Sequence, residues 1–373
     1  MIPVNRPIVR NYKNKSLERC LKLKWLSGDG PIVKEFENIF SKKIGLKYGV
    51  SISNGTAALE VAISSLGLKP GSEILVPNLT IISCLNAIIK NNLKPIFIDV
   101  SKNDFNMDMI DLERKVSKKT KALIMVHTYG LASDIGRILK LKKKYGFKII
   151  EDCAEGIGLK YNKRYIGNFG DLSTFSFYSN KLITTGEDGC ILTNKKQYYN
   201  RCLSLRNLSF GKKIRFKHSE ISNNYRMSSL QCAYGISEMK FFNSNIKQKI
   251  KIGNFYNEKL KDKNFLILPP KHNKTSENIY WVYPLIVKYS KKRHFQNFLS
   301  KNHIITRDFF YPLSQQPFLK DYKIKNTVLK KSRYLYENGL YLPSGLGNTF
   351  AELKKVVKII NMYEKKYIKY KKI

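Results

Sequence analysis

Over its first two-thirds the chain alternates short apolar runs with helix-like stretches, and this confines it to few folds. Glu73-Ile74-Leu75-Val76 ends at Pro77, and Ile96 to Val100 follows a helical stretch from Ser83 to Lys90. Ala122 to Val126 ends at His127, and Phe147 to Ile150 ends at Glu151-Asp152, with helical spacing from Asp134 to Tyr145 between them. Runs apolar throughout, separated by helices, predict a mostly parallel α/β sheet covered on both faces. Ligands of such sheets bind at the carboxyl ends of the strands. His127 and Asp152 close two of those strands and so stand where chemistry is expected.

Beyond this region, Ser228 to about Asn264 reads as one long helix with a break near Asn243 to Asn245. It leads to a smaller C-terminal domain that opens, after Pro269-Pro270, with a strand from Trp281 to Val287. The division expected is a large domain over 1–245 and a small one over 246–373. The tail from Glu352 to Ile373 places Leu353, Val356, Val357, Ile360, Met362 and Tyr363 at helical spacing with lysines opposite. It reads as a lysine-rich surface helix rather than a membrane-lying one.

A hydrophobic fraction of 43% excludes a disordered chain. The net charge of +40 raises nucleic acid, an anionic membrane or an anionic small substrate as partners. The lysines are spread along the whole length, as in Lys42-Lys43 and Lys118-Lys119, which argues against a dedicated nucleic-acid surface. None of the six cysteines forms a C-x-x-C pair, and most have apolar neighbours, as buried reduced thiols do. The five histidines lack metal-ligand spacing, so no metal is expected. With no signal-peptide apolar region at the N-terminus and no apolar run of membrane-spanning length, a soluble, cytoplasmic protein is expected.

Three motifs carry chemistry. Ser53-Asn54-Gly55-Thr56-Ala57-Ala58 opens an apolar helix, Leu59 to Leu66. Glycine permits close backbone approach, the threonine offers a hydroxyl, and the helix end presents free N–H groups, which together suit a phosphate. Taken alone, the segment is equally an N-cap. Asp152, on the opposite strand face from Glu151, needs a partner at a buried strand end. A protonated pyridine nitrogen is one, and a helix N-cap role is the alternative. Lys181 lies among small, hydroxyl and glycine residues, with no charged neighbour before Glu187. A lysine kept from other charges can lose its proton and attack carbonyls.

In that order, the three motifs resemble the DegT/DnrJ/EryC1/StrS family of pyridoxal-phosphate-dependent aminotransferases. The resemblance runs nearly end to end. It includes Trp25 to Gly30, Ser53 to Ala58, Val76 to Thr80, Glu151 to Glu155, Gly170 to Phe177, Asn180 to Gly189, Asn224 to Met227 and Arg307 to Leu313. It implies the aspartate aminotransferase-like (type I) fold, with a seven-stranded, mostly parallel sheet and an N-terminal arm (1–30) near the active site. It implies that Lys181 is the Schiff-base lysine and proton shuttle, and that Asp152 pairs with the pyridine nitrogen. Glu155 is implied near the phenolic oxygen. Gly55, Thr56, Ala57 and Ser176 are implied at the phosphate, with Asn224 reaching it from the neighbouring subunit of a homodimer. Ser27, Arg226, Arg307 and Tyr311 are candidate substrate contacts.

Two positions depart from the family pattern. Ile81 stands where relatives carry an aromatic residue over the cofactor ring, and Asp188 replaces the first glycine of the closing Gly-Gly pair. Family members that dehydrate at C3 carry histidine in place of the lysine, so Lys181 favours amination. The form Asn-Lys-x-Ile-Thr-Thr-Gly-Glu is most similar to the branch that aminates C4 of nucleotide-linked 4-keto-6-deoxy sugars. The expected reaction moves an amino group from L-glutamate to such a sugar, GDP-linked in the first instance. The alternatives are a UDP-linked acceptor, amination at C3, or a regulatory nucleic-acid-binding protein of the same fold. Steep salt dependence of nucleic-acid binding without transaminase activity would mark the last.

Overall fold

The apolar runs assemble into one seven-stranded sheet. In the computed structural model, which describes residues 1–10, 14–211, 213–289 and 291–368, the strands are β1 (Tyr48–Ile52), β2 (Glu73–Pro77), β3 (Lys94–Ile98), β4 (Thr120–Val126), β5 (Lys148–Asp152), β6 (Leu172–Ser176) and β7 (Gly189–Thr193). Their order is β1-β7-β6-β5-β4-β2-β3, and β7 alone runs antiparallel to its neighbours. The period of two along a strand explains why both faces are apolar. In β5, Ile149 packs with Leu75, Leu123 and Phe147 on one face. Ile150 packs with Val76 and Ile124 on the other. This is the type I fold that the sequence predicts.

The helix α1 (Gly55–Ser65) starts earlier than Leu59, because the Asn54 side chain accepts the Ala57 N–H at 2.7 Å and caps it. The helix α2 (Ser83–Lys90) lies where expected. The long helix is two helices, α3 (Ser229–Met239) and α4 (Phe242–Leu260), and the break falls at Lys240-Phe241 rather than at Asn243 to Asn245. Those residues read as breakers, but they occupy the first turn of α4, where the short polar side chains of Ser244 and Asn245 reach nearby backbone carbonyls. The Ser244 hydroxyl donates to the Phe241 carbonyl at 2.9 Å, and the buried Asn245 amide donates to the Leu182 carbonyl at 2.7 Å.

A second, antiparallel sheet holds β8 (Leu266–Ile267), β9 (Tyr283–Val287), β10 (Arg307–Asp308) and β11 (Gly339–Leu342) in the order β8-β9-β11-β10. The expected division after residue 245 falls in the first turn of α4. Ile246 and Ile250 of that helix pack on the core of the first sheet, and Ile252, Tyr256 and Leu260 on that of the second. The tail helix α5 (Phe350–Tyr367) opens with a Thr349–Glu352 capping box and buries Leu353, Val356, Ile360 and Tyr363 against the second sheet. Met362 faces outward, and residues 369–373 lie outside the described residues. Among the described residues no helix is long and apolar enough to cross a membrane. All six cysteines are buried and unpaired.

Candidate active site

The carboxyl ends of β2, β5 and β6 open on a cavity of about 290 Å³. Gly55, Thr56, Ile81, Asp152, Glu155, Ser176, Lys181 and Arg307, all singled out in the sequence, line it. Ser83, Thr174, Tyr178, Glu187, Trp281 and Tyr341 line it too, none of them among the site residues expected from the sequence.

One corner is built of hydroxyls at the start of α1. Thr56 Oγ1 and Ser83 Oγ share a hydrogen bond of 2.6 Å, and Ser176 closes the corner from the end of β6. A Cβ on Gly55 would lie 2.8 Å from Ser176 Cβ and 3.1 Å from its Oγ, so only glycine lets α1 come this close to the strand. Helix-end N–H groups with three hydroxyls and no carboxylate suit an anion. Ala57 lies behind the corner rather than on the cavity, its N–H held by Asn54.

The other end of the cavity is acidic. Asp152 is buried, its Oδ1 accepting the Ala154 N–H at 3.0 Å and its Oδ2 the Cys84 thiol at 3.4 Å. Loss of solvation raises its carboxyl above the ordinary value, against those donors and the Lys181 charge. Glu155 accepts the N–H of Tyr129 at 2.8 Å and is likewise raised by burial, to about 7. Lys181 is half-buried, with Nζ 3.9 Å from the Trp281 ring centroid. Desolvation lowers its amine to about 8, and the charges of Glu155 and Asp152 oppose that shift. A lysine so placed reaches its neutral, nucleophilic form near neutral pH.

Glu151 takes a different part from Asp152. Its two oxygens accept N–H groups of Gly167 at 2.6 Å and of Phe169 and Gly170 at 2.9 Å, and Oε1 meets His127 Nε2 at 3.0 Å. His127 Nδ1 accepts the Ser133 N–H at 3.2 Å. His127, Glu151 and Cys153 are thus a clustered but occupied set, holding a loop behind the sheet rather than offering lone pairs to a metal.

Four expected residues lie away from this cavity. Asn224 is exposed, and its Oδ1 accepts the Arg226 N–H at 3.4 Å. The Arg226 guanidinium donates to Asn207. Ser27 is exposed and bonded to Asp29 and Trp25. Tyr311 packs edge-on against Tyr336, with ring centroids 4.9 Å apart.

The model of the DegT/DnrJ/EryC1/StrS aminotransferase family matches residues 7–361. The chain belongs to that family. It is a pyridoxal-phosphate-dependent aminotransferase. It is similar to the GDP-perosamine synthase of Escherichia coli O157:H7, 35% identical over 344 residues that cover 92% of this chain and 93% of that one. It is 34% identical to the GDP-perosamine synthase of Vibrio cholerae, over 97% and 99% of the two chains. Among solved structures, Helicobacter pylori PseC, an aminotransferase involved in the biosynthesis of pseudoaminic acid, superposes with a TM-score of 0.90 at 22% identity, covering 98% of this chain and 99% of that one.

The cavity fits the cofactor: a hydroxyl-lined anion corner, a buried carboxylate and a desolvated lysine border one space. Gly55→Ala is expected to displace Ser176 and weaken pyridoxal phosphate binding about tenfold or more, since overpacking costs about 1–3 kcal/mol. Equilibrium dialysis measures it, and an unchanged affinity would show that the phosphate lies elsewhere.

Proposed function

We propose that this enzyme transfers the amino group of L-glutamate to C4 of GDP-4-keto-6-deoxymannose, giving GDP-perosamine, in the cytoplasm and as a homodimer. The observation that carries the reading is the convergence of Lys181, Asp152 and Glu155 on one cavity with a hydroxyl-lined corner. The choice of acceptor is supported by the two GDP-perosamine synthases at 34–35% identity.

Pyridoxal phosphate, when bound, supplies an electron sink that stabilises negative charge at the carbon losing or gaining a proton. The chain supplies the rest. Thr56, Ser176 and the α1 terminus anchor the phosphate. Asp152 would accept from the ring nitrogen and keep it protonated, and Glu155 would serve the phenolic oxygen. Ile81, in the cavity wall, would give the ring an aliphatic cover, with apolar contact but no aromatic stacking. Lys181 carries the proton in both directions, because an amine lowered toward neutral pH is both acid and base there. Arg307, in the cavity wall, is placed for an anionic group of a substrate. Asn224, Ser27, Arg226 and Tyr311 act at the site only across a dimer interface, Asn224 at the phosphate.

Incubation with L-glutamate and GDP-, UDP- and dTDP-linked keto sugars, followed by mass spectrometry and NMR of the products, tests this. The expected outcome is one amino group at C4 of the GDP-linked sugar. A preferred UDP-linked acceptor, or amination at C3, would replace the substrate assignment.

A further inference from the structure

The buried carboxylate of Asp152 is held by two donors, and one comes from a residue that no chemistry so far requires. Cys84 lies in the first turn of α2, next to Ser83. While Ser83 turns its hydroxyl to Thr56, the Cys84 thiol donates to Asp152 Oδ2 at 3.4 Å. Cys84 is fully buried, and burial together with the adjacent carboxylate pushes its ionisation well up, so it stays a neutral S–H. Thr174 stands beside Asp152 in the sheet register, and its buried hydroxyl has no partner among the described residues while its side of the strand borders the cavity. The wall around Asp152 is thus built for a polar group of a bound molecule.

We propose that Cys84 is a positioning residue for the ring-nitrogen contact: its thiol holds Asp152 as the anion and thereby keeps the proton on the pyridine nitrogen of the cofactor. This rests on the reading of Asp152 as the partner of that nitrogen. The proton is shared between ring nitrogen and carboxylate. Burial favours the neutral pair, pyridine with carboxylic acid. Each donor to the carboxylate favours the charged pair, pyridinium with carboxylate. With only Ala154 N–H and Cys84 S–H donating among the described residues, loss of one tips the balance toward the neutral pair. A hydroxyl at position 84 retains a donor; alanine or valine does not.

The test is the ¹⁵N NMR shift of the holoenzyme loaded with ring-¹⁵N pyridoxal phosphate, beside kcat. Cys84→Ala should move the resonance toward neutral pyridine and lower kcat about three- to tenfold, the loss expected for one weak hydrogen bond to a charged group. Cys84→Ser should keep the wild-type shift. Cys84→Val, close to cysteine in size and without a donor, gives the same reading if the alanine variant does not fold. An unchanged shift in the alanine or valine variant, or a serine variant that follows them, would overturn the proposal. Asp152→Asn separates the two readings. If it too leaves the shift unmoved, the assignment of Asp152 fails; if it moves the shift and the Cys84 variants do not, only the role of Cys84 fails.

Discussion

Lys181→Ala should abolish transamination, by at least about 10⁴-fold, and replace the imine absorbance of the cofactor-loaded protein with that of the free aldehyde. The size of the effect follows from the two duties that fall on one amine. In the proposed mechanism it would form the covalent link to the cofactor and also move the proton. Asp152 and Glu155 are acidic, but burial raises both, and neither can form an imine. The rival is Lys249, more deeply buried than Lys181, whose amine burial lowers to about 7. That amine donates to the Ser344 carbonyl, and Lys249 does not line the cavity that holds Asp152. Lys249→Ala should therefore keep the imine band. A Lys181→Ala protein that keeps the imine band, with a Lys249→Ala protein that loses it, would transfer the covalent role to Lys249.

Lys181 and Asp152 could be chosen from the sequence because each breaks a local rule. A lysine without charged neighbours and an acid at the end of an apolar strand both ask for a partner. Ser83 breaks no rule: it looks like the first residue of an ordinary helix. Only the neighbouring ends of their elements bring its hydroxyl to Thr56, across 27 positions of chain. Trp281 looked like the first residue of a strand. Its ring reaches Lys181 because the segment before β9 passes the mouth of the cavity, with the indole N–H on the Asn180 carbonyl at 3.2 Å. The break at Lys240-Phe241 was misplaced for the opposite reason. Asn243, Ser244 and Asn245 carry a strong local signal, which tertiary contacts turn into the start of a helix. Arg226 and Ser27 rest on the resemblance alone, and neither lines the cavity.

Asp188→Asn should stabilise the protein in a pH-dependent manner, by up to about 4 kcal/mol at pH 8 and by little near pH 4. Asp188 has φ 72°, in the left-handed region, which asparagine tolerates as well as aspartate. It is 1% exposed. Oδ2 accepts the Thr185 hydroxyl at 2.8 Å, and Oδ1 has no partner among the described residues. Burial raises the carboxyl from 3.8 to about 7, against the Thr185 hydrogen bond and with help from the Glu187 charge. Between those two values the folded protein keeps a proton that the unfolded chain releases. Stability therefore falls as pH rises through this window and is level above it. At 1.36 kcal/mol per pK unit, the window corresponds to about 4 kcal/mol. Asparagine carries no charge at any of these pH values and retains an acceptor for Thr185. Denaturant unfolding at pH 4 and pH 8 measures the difference, and parallel pH profiles for the two proteins would sink the prediction. The backbone of this residue ties the Lys181 loop to the phosphate corner: its N–H donates to the Ser53 carbonyl at 3.2 Å, and its carbonyl accepts the Phe177 N–H at 2.8 Å. The substitution leaves both bonds in place. It therefore isolates the cost of the buried charge from the function of the loop, and turnover should be retained while stability rises.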